Sequence, residues 1–447
     1  MMARTAMREE QVYAELLRRA REEAVLASCA TLLEWDEDTY LPRAGVEHRG
    51  NQLALLAGLH HQLATHPRVG ELLGELAGSD FVADPHSPAA INVRELGRTY
   101  ARLTRLPRGL VEELTRTTTL AQHEWAAAHE HADFARFQPW LEKIISLKRC
   151  EAQCLDFHAI PYDALLDEFD PGSRSREIAR LFEALRRELV PLVAAFTSAP
   201  RKPNREILDR RFAPEQQRAF GIQVAGVLGF DFERGRLDTA RHPFFCTIGP
   251  GDCRITTRYN THHFNDGFFG ILHEVGHGLY EQGLDPEHFG TPMGEAASIA
   301  IHESQSRLWE NLVGRSRPFW QFFFPAAQRY FPQALAGVTV DDFHFVLNRV
   351  EPSLNRIRAD AVTYDLHILV RFELEQALMR GDLQVADMPQ AWNNAYRHYL
   401  GITPSNDAEG CLQDGHWSAG LIGYFPTYTL GNIFAAQLLA RAEEELN

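Results

Sequence analysis

Apolar residues recur along most of this chain at intervals of three and four, the spacing of amphipathic α-helices. The periodicity predicts helices over residues 8–33, 110–130, 135–158, 175–197, 361–381 and 430–445. Segments rich in Gly, Pro, Ser or Asp interrupt it at 78–90, 198–206, 283–294 and 401–417. None of these interruptions is long or biased enough to be a flexible linker, so we expect a single domain over residues 1–447.

One stretch follows a different pattern. Residues 244–260 contain two short β-prone runs joined by Gly249-Pro250-Gly251-Asp252. Two such runs around a Gly-rich connection predict a β-hairpin. We therefore expect a mainly α-helical fold with one small β-hairpin or sheet element.

Composition excludes several classes of protein. The chain has 447 residues, 45% hydrophobic and 23% charged, the usual mix of a soluble globular protein. No stretch reaches the ~18 uncharged apolar residues of a membrane span, and the N-terminal residues lack the apolar core of a signal peptide. The net charge of −15 argues against nucleic acid or an anionic membrane as partner. The six cysteines form no C-x-x-C motif, which favours free thiols in the cytoplasm.

The most informative motif is Leu272-His273-Glu274-Val275-Gly276-His277, an H-E-x-x-H sequence within an apolar helical stretch. On a helix, His273 and His277 lie on one face and can bind one metal ion. Glu274 can then reach a water on that ion and accept its proton. The alternative is a buried helix whose histidines only form hydrogen bonds.

A catalytic zinc ion usually has three protein ligands. We expect the third from the next helix, within residues 295–311. Glu303 lies two residues after the apolar run Ala296–Ile301, where burial is expected and an unpaired carboxylate would cost several kcal/mol. The spacing favours Glu303 and leaves Glu310, Glu295 and His302 as alternatives.

Two further segments carry candidate binding residues. In the predicted hairpin, Asp252, Arg254 and Thr256 alternate with two apolar residues, which puts the three polar side chains on one strand face. Asp252 could brace Arg254, whose guanidinium could hold a carboxylate or a carbonyl, although a solvated hairpin face is the alternative. Arg356 and Asp360 have the spacing of an i,i+4 pair on a helix.

Residues 410–428 form a glycine-rich connection that leads into a helix. Amide hydrolysis needs hydrogen-bond donors for the developing oxyanion and the leaving amine, and His or Tyr can serve. We expect His416 and Tyr424 in these roles, with Tyr428 as the competing tyrosine.

The sequence HEVGHGLYEQG followed by IHESQSRLWEN resembles the carboxypeptidase Taq family of metallocarboxypeptidases. The resemblance extends over almost the whole chain. Further matching segments are LLEWDEDTYLP (32–42), YDALLDEFDPG (162–172), DCRIT (252–256), RIRAD (356–360) and GCLQDGHW (410–417). One departure is Asn355, where the family usually has an aliphatic or aromatic residue.

This resemblance implies a helical body divided by a deep substrate cleft, with the small β element near the metal site. It implies Glu303 as the third metal ligand, Arg254 and Arg356 as substrate-binding residues, and Arg356 as an anchor for the substrate's terminal carboxylate. Asp252, Thr256, Gln413 and Asp414 would support the site. The metal would be one divalent ion per chain, Zn²⁺ with Co²⁺ as an alternative, and the family usually forms homodimers.

The function expected from these residues is removal of the C-terminal residue of peptides, with Glu274 activating a metal-bound water. An endo-acting oligopeptidase would share the metal site but would not need Arg254 or Arg356 to recognise a carboxylate. A non-catalytic metal-stabilised peptide-binding protein would have no use for Glu274 as a base.

Overall fold

The computed structural model describes residues 2–155 and 160–446, without the side chains of residues 2–6. The helices of the first half are α1 (Met2–Thr39), α2 (Val46–Ala64), α3 (Pro67–Leu76), α4 (Pro88–Arg105), α5 (Arg108–His131), α6 (Phe134–Cys154), α7 (Pro161–Phe169), α8 (Ser175–Ser198) and α9 (Glu206–Asp209). Those of the second half are α10 (Pro214–Leu228), α11 (Phe264–Gly283), α12 (Ile299–Arg307), α13 (Arg317–Tyr330), α14 (Val340–Leu347), α15 (Tyr364–Arg380), α16 (Met388–Leu400) and α17 (Pro426–Leu446).

The predicted helical segments all coincide with helices: α1, α5, α6, α8, α15 and α17. The end of the third segment, residues 156–158, lies outside the described residues. The mainly helical fold class is thereby confirmed. Within the described ranges, no helix is both long and apolar enough to cross a membrane.

A three-stranded sheet contains β1 (Gly235–Thr239), β2 (Phe245–Gly249) and β3 (Asp252–Thr257) in the order β1-β3-β2. The antiparallel pair β2–β3 is the predicted hairpin, and Gly251 in its turn has φ +83°, a conformation that suits glycine. The parallel partner β1 is an addition that the sequence analysis missed. Its sequence GRLDT is short and half polar, so it carries little strand signal.

The described residues form two compact units. The first unit comprises Met1–Thr104, Arg205–Ala297 and Gln305–Val340, and the second comprises Arg105–Asn204, Ser298–Ser304 and Asp341–Asn447. The prediction that residues 1–447 form one catalytic domain stays a prediction.

Helix α11 is held on two sides within the first unit. Phe268 stacks on Phe264 at 5.0 Å between ring centroids and contacts Phe220 of α10 at 5.2 Å and Trp320 of α13 at 5.4 Å. On another side, Ile271 and Val275 of α11 join Ile255 of β3 in a small buried cluster. Burial of so many large side chains fixes the rotation of α11, because each contributes roughly 1.5–3 kcal/mol.

Helix α15 is the centre of the second unit. Most of its residues are buried, and they belong to one large apolar cluster with residues of α6, α7, α16 and the segment before α17. Three fully buried polar residues interrupt this helix at every fourth position: His367, Arg371 and Glu375. Buried polar groups need partners. His367 contacts the hydroxyl of Tyr396, whereas Arg371 and Glu375 have partners in residues 413–423.

Candidate active site

The H-E-x-x-H motif lies on α11 as predicted. The potential ligand atoms of His273, Glu274 and His277 all lie within 4.8 Å of one another. Glu274 is buried, and both histidines are partly buried. Two imidazoles and a carboxylate this close together form a donor set that fits a divalent metal ion.

The first of these histidines is oriented by a carboxylate from the π-helical turn Leu308–Val313. Nδ1 of His273 lies 2.9 Å from Oε2 of Glu310, a residue that also pairs with Arg307 at 3.3 Å. Burial alone would raise the pKa of Glu310, but its hydrogen bond with His273 and the charges of Arg307, His273 and Arg315 outweigh burial and lower this pKa to about 2. An ionised carboxylate only accepts, so Nδ1 of His273 carries the proton and Nε2 carries the lone pair that a metal requires.

The second variable position of the motif, Gly276, permits a close approach of two helices. A Cβ atom there would stand 2.5 Å from the carbonyl oxygen of Gln305 and 2.6 Å from Cα of Ser306. Both are backbone atoms of α12, so no side-chain rotation could relieve the overlap. Glycine in H-E-V-G-H therefore lets the end of α12 lie directly against α11.

The expected third ligand, Glu303, is a buried residue of α12, two positions before Gln305. Its Cγ would lie 3.0 Å from a Cβ on Gly431 of α17, so it is closely packed. Of the alternatives, Glu310 has the different role just described. Glu295 is exposed and precedes α12, and His302 is partly buried.

The strand residues of β3 form the predicted brace. Arg254 donates from Nε and Nη2 to the two carboxylate oxygens of Asp252, both at 2.8 Å, and its guanidinium lies 4.2 Å from the ring centre of Trp35. Thr256, in contrast, is fully buried, and its hydroxyl bonds both backbone groups of Phe244. The alternative of a solvated hairpin face is therefore wrong for Thr256, because its hydroxyl is buried against Phe244, the residue before β2.

The predicted i,i+4 helix pair of Arg356 and Asp360 is also wrong. Arg356 lies in the short 3₁₀ turn Arg356–Arg358, and Asp360 instead accepts from the backbone N–H groups of Val362 and Thr363 as a local turn cap. Arg356 pairs with Asp414, donating from Nε at 3.1 Å and from Nη2 at 2.8 Å. Arg356 therefore pairs with a residue 58 positions along the chain and not with the expected residue four positions along.

The glycine-rich segment 410–425 leads into α17 as expected and brings His416, Tyr424 and Tyr428 together. The ring of His416 lies 5.5 Å from that of Tyr424, and its Nε2 lies 3.4 Å from the hydroxyl of Tyr428. Burial lowers the pKa of His416 to about 4, with the charge of Asp414 opposing this shift and those of Arg356 and Arg371 adding to it. Burial raises the pKa of Tyr424, so both tyrosine and histidine are neutral near pH 7.

Two buried residues of α15 hold this segment, and the sequence analysis missed both. Glu375 accepts hydrogen bonds from Nε1 of Trp417 at 2.8 Å and from the backbone N–H of Gly423 at 3.1 Å, the neighbours of His416 and Tyr424. Arg371 donates to Asp414 and, at 2.9 Å, to Oε1 of Gln413. The available signal was a pair of charged residues at i and i+4 within a mostly apolar helix, where buried charges need partners.

An H-E-x-x-H helix whose first histidine is oriented by a carboxylate, on a mainly helical fold, is typical of metallopeptidases. The sequence matches the family described as Carboxypeptidase Taq (M32) metallopeptidase over residues 15–447. The chain belongs to this family. It is a metal-dependent carboxypeptidase, a hydrolase of peptides.

Individual relatives agree with this assignment. The chain is 48% identical to Thermostable carboxypeptidase 1 of Thermus thermophilus, over 98% of this chain and 88% of that protein. It is 36% identical to Carboxypeptidase 1 of Bacillus subtilis, over 98% and 86% respectively. Among solved structures, the M32 carboxypeptidase from Deinococcus radiodurans superposes with a TM-score of 0.93 at 40% identity, covering 97% of this chain and 87% of that one.

Proposed function

We propose that the chain removes C-terminal residues with a zinc ion held by His273, His277 and Glu303. The observation that carries this proposal is the hydrogen bond between Nδ1 of His273 and Glu310, which directs the lone pair of the ring to Nε2. Metal-binding histidines almost always donate their second ring N–H to a carboxylate, a backbone carbonyl or a water, and Glu310 supplies such a partner. Glu303 is supported by its burial on the helix that lies against Gly276.

A divalent ion held by these residues supplies Lewis acidity, which polarises a peptide carbonyl and lowers the pKa of water toward 7. Glu274 takes the proton from the attacking water and returns it to the leaving amine. His416 and Tyr424 act as neutral hydrogen-bond donors to the oxyanion and the amine. Their protonation state supports these roles, because a donor must keep its proton at working pH.

Specificity for the chain end requires a group that detects a free carboxylate. We propose Arg356 for this task, because a buried guanidinium binds a carboxylate strongly. Arg254 has its Nε edge occupied by Asp252, which supports a contact with substrate backbone through its remaining donors. Gln413 and Asp414 support the site by fixing Arg356: its backbone N–H donates to Oε1 of Gln413 at 3.1 Å.

Metal analysis combined with kinetics tests the assignment of base and ligands. Glu274→Gln is expected to keep one zinc ion per chain while kcat falls by at least ~10²-fold, since an amide cannot accept the proton. His273→Ala, His277→Ala and Glu303→Ala are expected to lose the metal, and a chelator should abolish activity that zinc or cobalt restores. Glu287→Gln, at an exposed position, is the matched control. Full metal content in Glu303→Ala would transfer the ligand role to another residue.

Three broader proposals accompany this function. The family match across both compact units supports one catalytic domain over residues 1–447. The cysteines are all free thiols, as suits a reducing cytoplasm. The family resemblance implies a homodimer, and exposed apolar side chains such as Val25 of α1 and Leu55 of α2 (53% and 65% exposed) offer a surface for one. Light scattering on the purified chain measures the oligomeric state directly.

A further inference from the structure

One buried carboxylate in the second unit is shared by two arginines. Asp414 accepts from Arg356 through Oδ1 and from Nε of Arg371 through Oδ2 at 2.7 Å. Arg371 is fully buried, and the side chains of Arg356 and Asp414 are 8% and 9% exposed. The remaining contacts of the guanidiniums are neutral: Arg356 donates to the Tyr364 hydroxyl, and Arg371 to Gln413.

The other titratable groups around this network add little charge. Burial together with the charges of Arg371 and Arg356 holds the pKa of His367 well below its usual range, and His416 is neutral as well. From α16 and α17, Tyr396 and Tyr428 have raised pKa values and stay protonated. Glu375 follows Arg371 by one helical turn, and burial raises its pKa to about 7, so it is only partly ionised at neutral pH.

Two guanidiniums therefore face one fully ionised carboxylate. The charges of Arg371 and Arg356 hold the pKa of Asp414 well below its usual range, although burial opposes them. Had Asp414 met Arg356 alone, the two would form a neutral pair, and a substrate carboxylate would gain little from approaching it. With Arg371 present, Asp414 can orient Arg356 without cancelling its charge.

We propose that Arg371 is a specificity-determining residue, which offsets the charge of Asp414 so that Arg356 remains effectively cationic toward the terminal carboxylate of the substrate. This inference rests on the proposed role of Arg356 as the carboxylate anchor. Arg371 is a positioning residue in this scheme, because it acts through Asp414 and Arg356 and does not itself bind substrate.

The test compares kcat/KM for a blocked tripeptide with a free C-terminal carboxylate and for its C-terminal amide. In Arg371→Met the acid-to-amide ratio is expected to fall at least roughly tenfold, the scale of removing one nearby unit charge at an effective dielectric constant of about 20. The loss should fall mainly on KM for the acid. Arg371→Lys loses the two-pronged contact with Asp414 but keeps the charge. Its acid-to-amide ratio should therefore stay within about threefold of the wild-type ratio, even if kcat/KM falls for both substrates. Arg380→Met, at the exposed end of the same helix, is the matched control.

The decisive variant is the double replacement Arg371→Met with Asp414→Asn. It removes one positive and one negative charge together, so Arg356 regains its net charge and the acid-to-amide ratio should recover at least about threefold over Arg371→Met. If Arg371 has a purely structural role, Arg371→Met lowers kcat/KM for the acid and for the amide by the same factor. The double variant then has no higher acid-to-amide ratio than Arg371→Met. Either result overturns the proposal. Arg371→Gln replaces the Met variant if circular dichroism shows that the latter does not fold.

The same assay separates this inference from the function on which it rests. If Arg356→Met leaves the acid preference intact, Arg356 is not the anchor and the proposed function fails first. If Arg356→Met abolishes the preference while Arg371→Met retains it, the anchor stands and the charge-offset role of Arg371 is refuted.

Discussion

Replacing Gly276 by alanine tests how the helix of the H-E-x-x-H motif packs against α12, the helix that carries the proposed third ligand Glu303. The added Cβ would stand 2.5 Å from the carbonyl oxygen of Gln305 and 2.6 Å from Cα of Ser306. Ordinary contacts between such atoms are about 3.5–4.0 Å, so the helices must separate by roughly 1 Å. Because the obstructing atoms belong to the backbone, the whole end of α12 has to move.

The expected cost follows from two opposing effects. Overpacking of this kind destabilises a protein by about 1–3 kcal/mol, whereas alanine in a helix interior gains up to about 1 kcal/mol over glycine. We expect a net decrease of about 1–2 kcal/mol in the free energy of unfolding. The functional effect should be larger, since a displacement of about 1 Å in a catalytic group can lower kcat by about 10²-fold.

Gly283 provides the matched control, because it ends the same helix and a Cβ there would meet no atom within 4 Å. Thermal unfolding, zinc content and kcat are measured for Gly276→Ala, Gly283→Ala and the wild type. Gly283→Ala should match the wild type in all three. A Gly276→Ala enzyme that unfolds no earlier than the control and turns over at the wild-type rate would refute the argument from close packing.

The remaining predictions concern Glu310 and Glu375. Glu310→Gln should weaken zinc binding by about 10–100-fold in competition with a chromophoric chelator, because His273 loses its ionised partner, and unchanged affinity beside the Glu287→Gln control would contradict this. Glu375→Gln should change the pH dependence of stability. Burial raises the pKa of Glu375 to about 7. At pH values between the usual pKa of a glutamate and this raised pKa, the folded chain therefore binds more protons than the unfolded chain. The wild type should therefore lose stability as pH rises toward 7, by up to about 1.4 kcal/mol per pH unit. Glu375→Gln should lack this slope, while Glu142→Gln at an exposed position should retain it; equal slopes in all three proteins would show that Glu375 is ionised throughout.

The local features of this protein could be predicted from the sequence because they arise from contacts within one segment. The apolar stretch around the H-E-x-x-H motif predicted the helix that is α11, and the spacing of the motif put His273 and His277 on one face of it. The Gly-Pro-Gly turn located the hairpin of β2 and β3. In each case the backbone hydrogen bonds that define the element join residues close in the chain.

The choice of partners was decided only by the tertiary structure. Spacing offered Glu310 as a rival ligand, yet the π-helical turn brings it to Nδ1 of His273. Asp360 was a local candidate partner for Arg356. Arg356 instead pairs with Asp414, because the side chains of these two residues are buried and their charges must be paired. Arg371 carried no motif at all. Its role depends on which loop packs against α15. The position of that loop follows from packing over the whole chain, which a local sequence pattern does not determine.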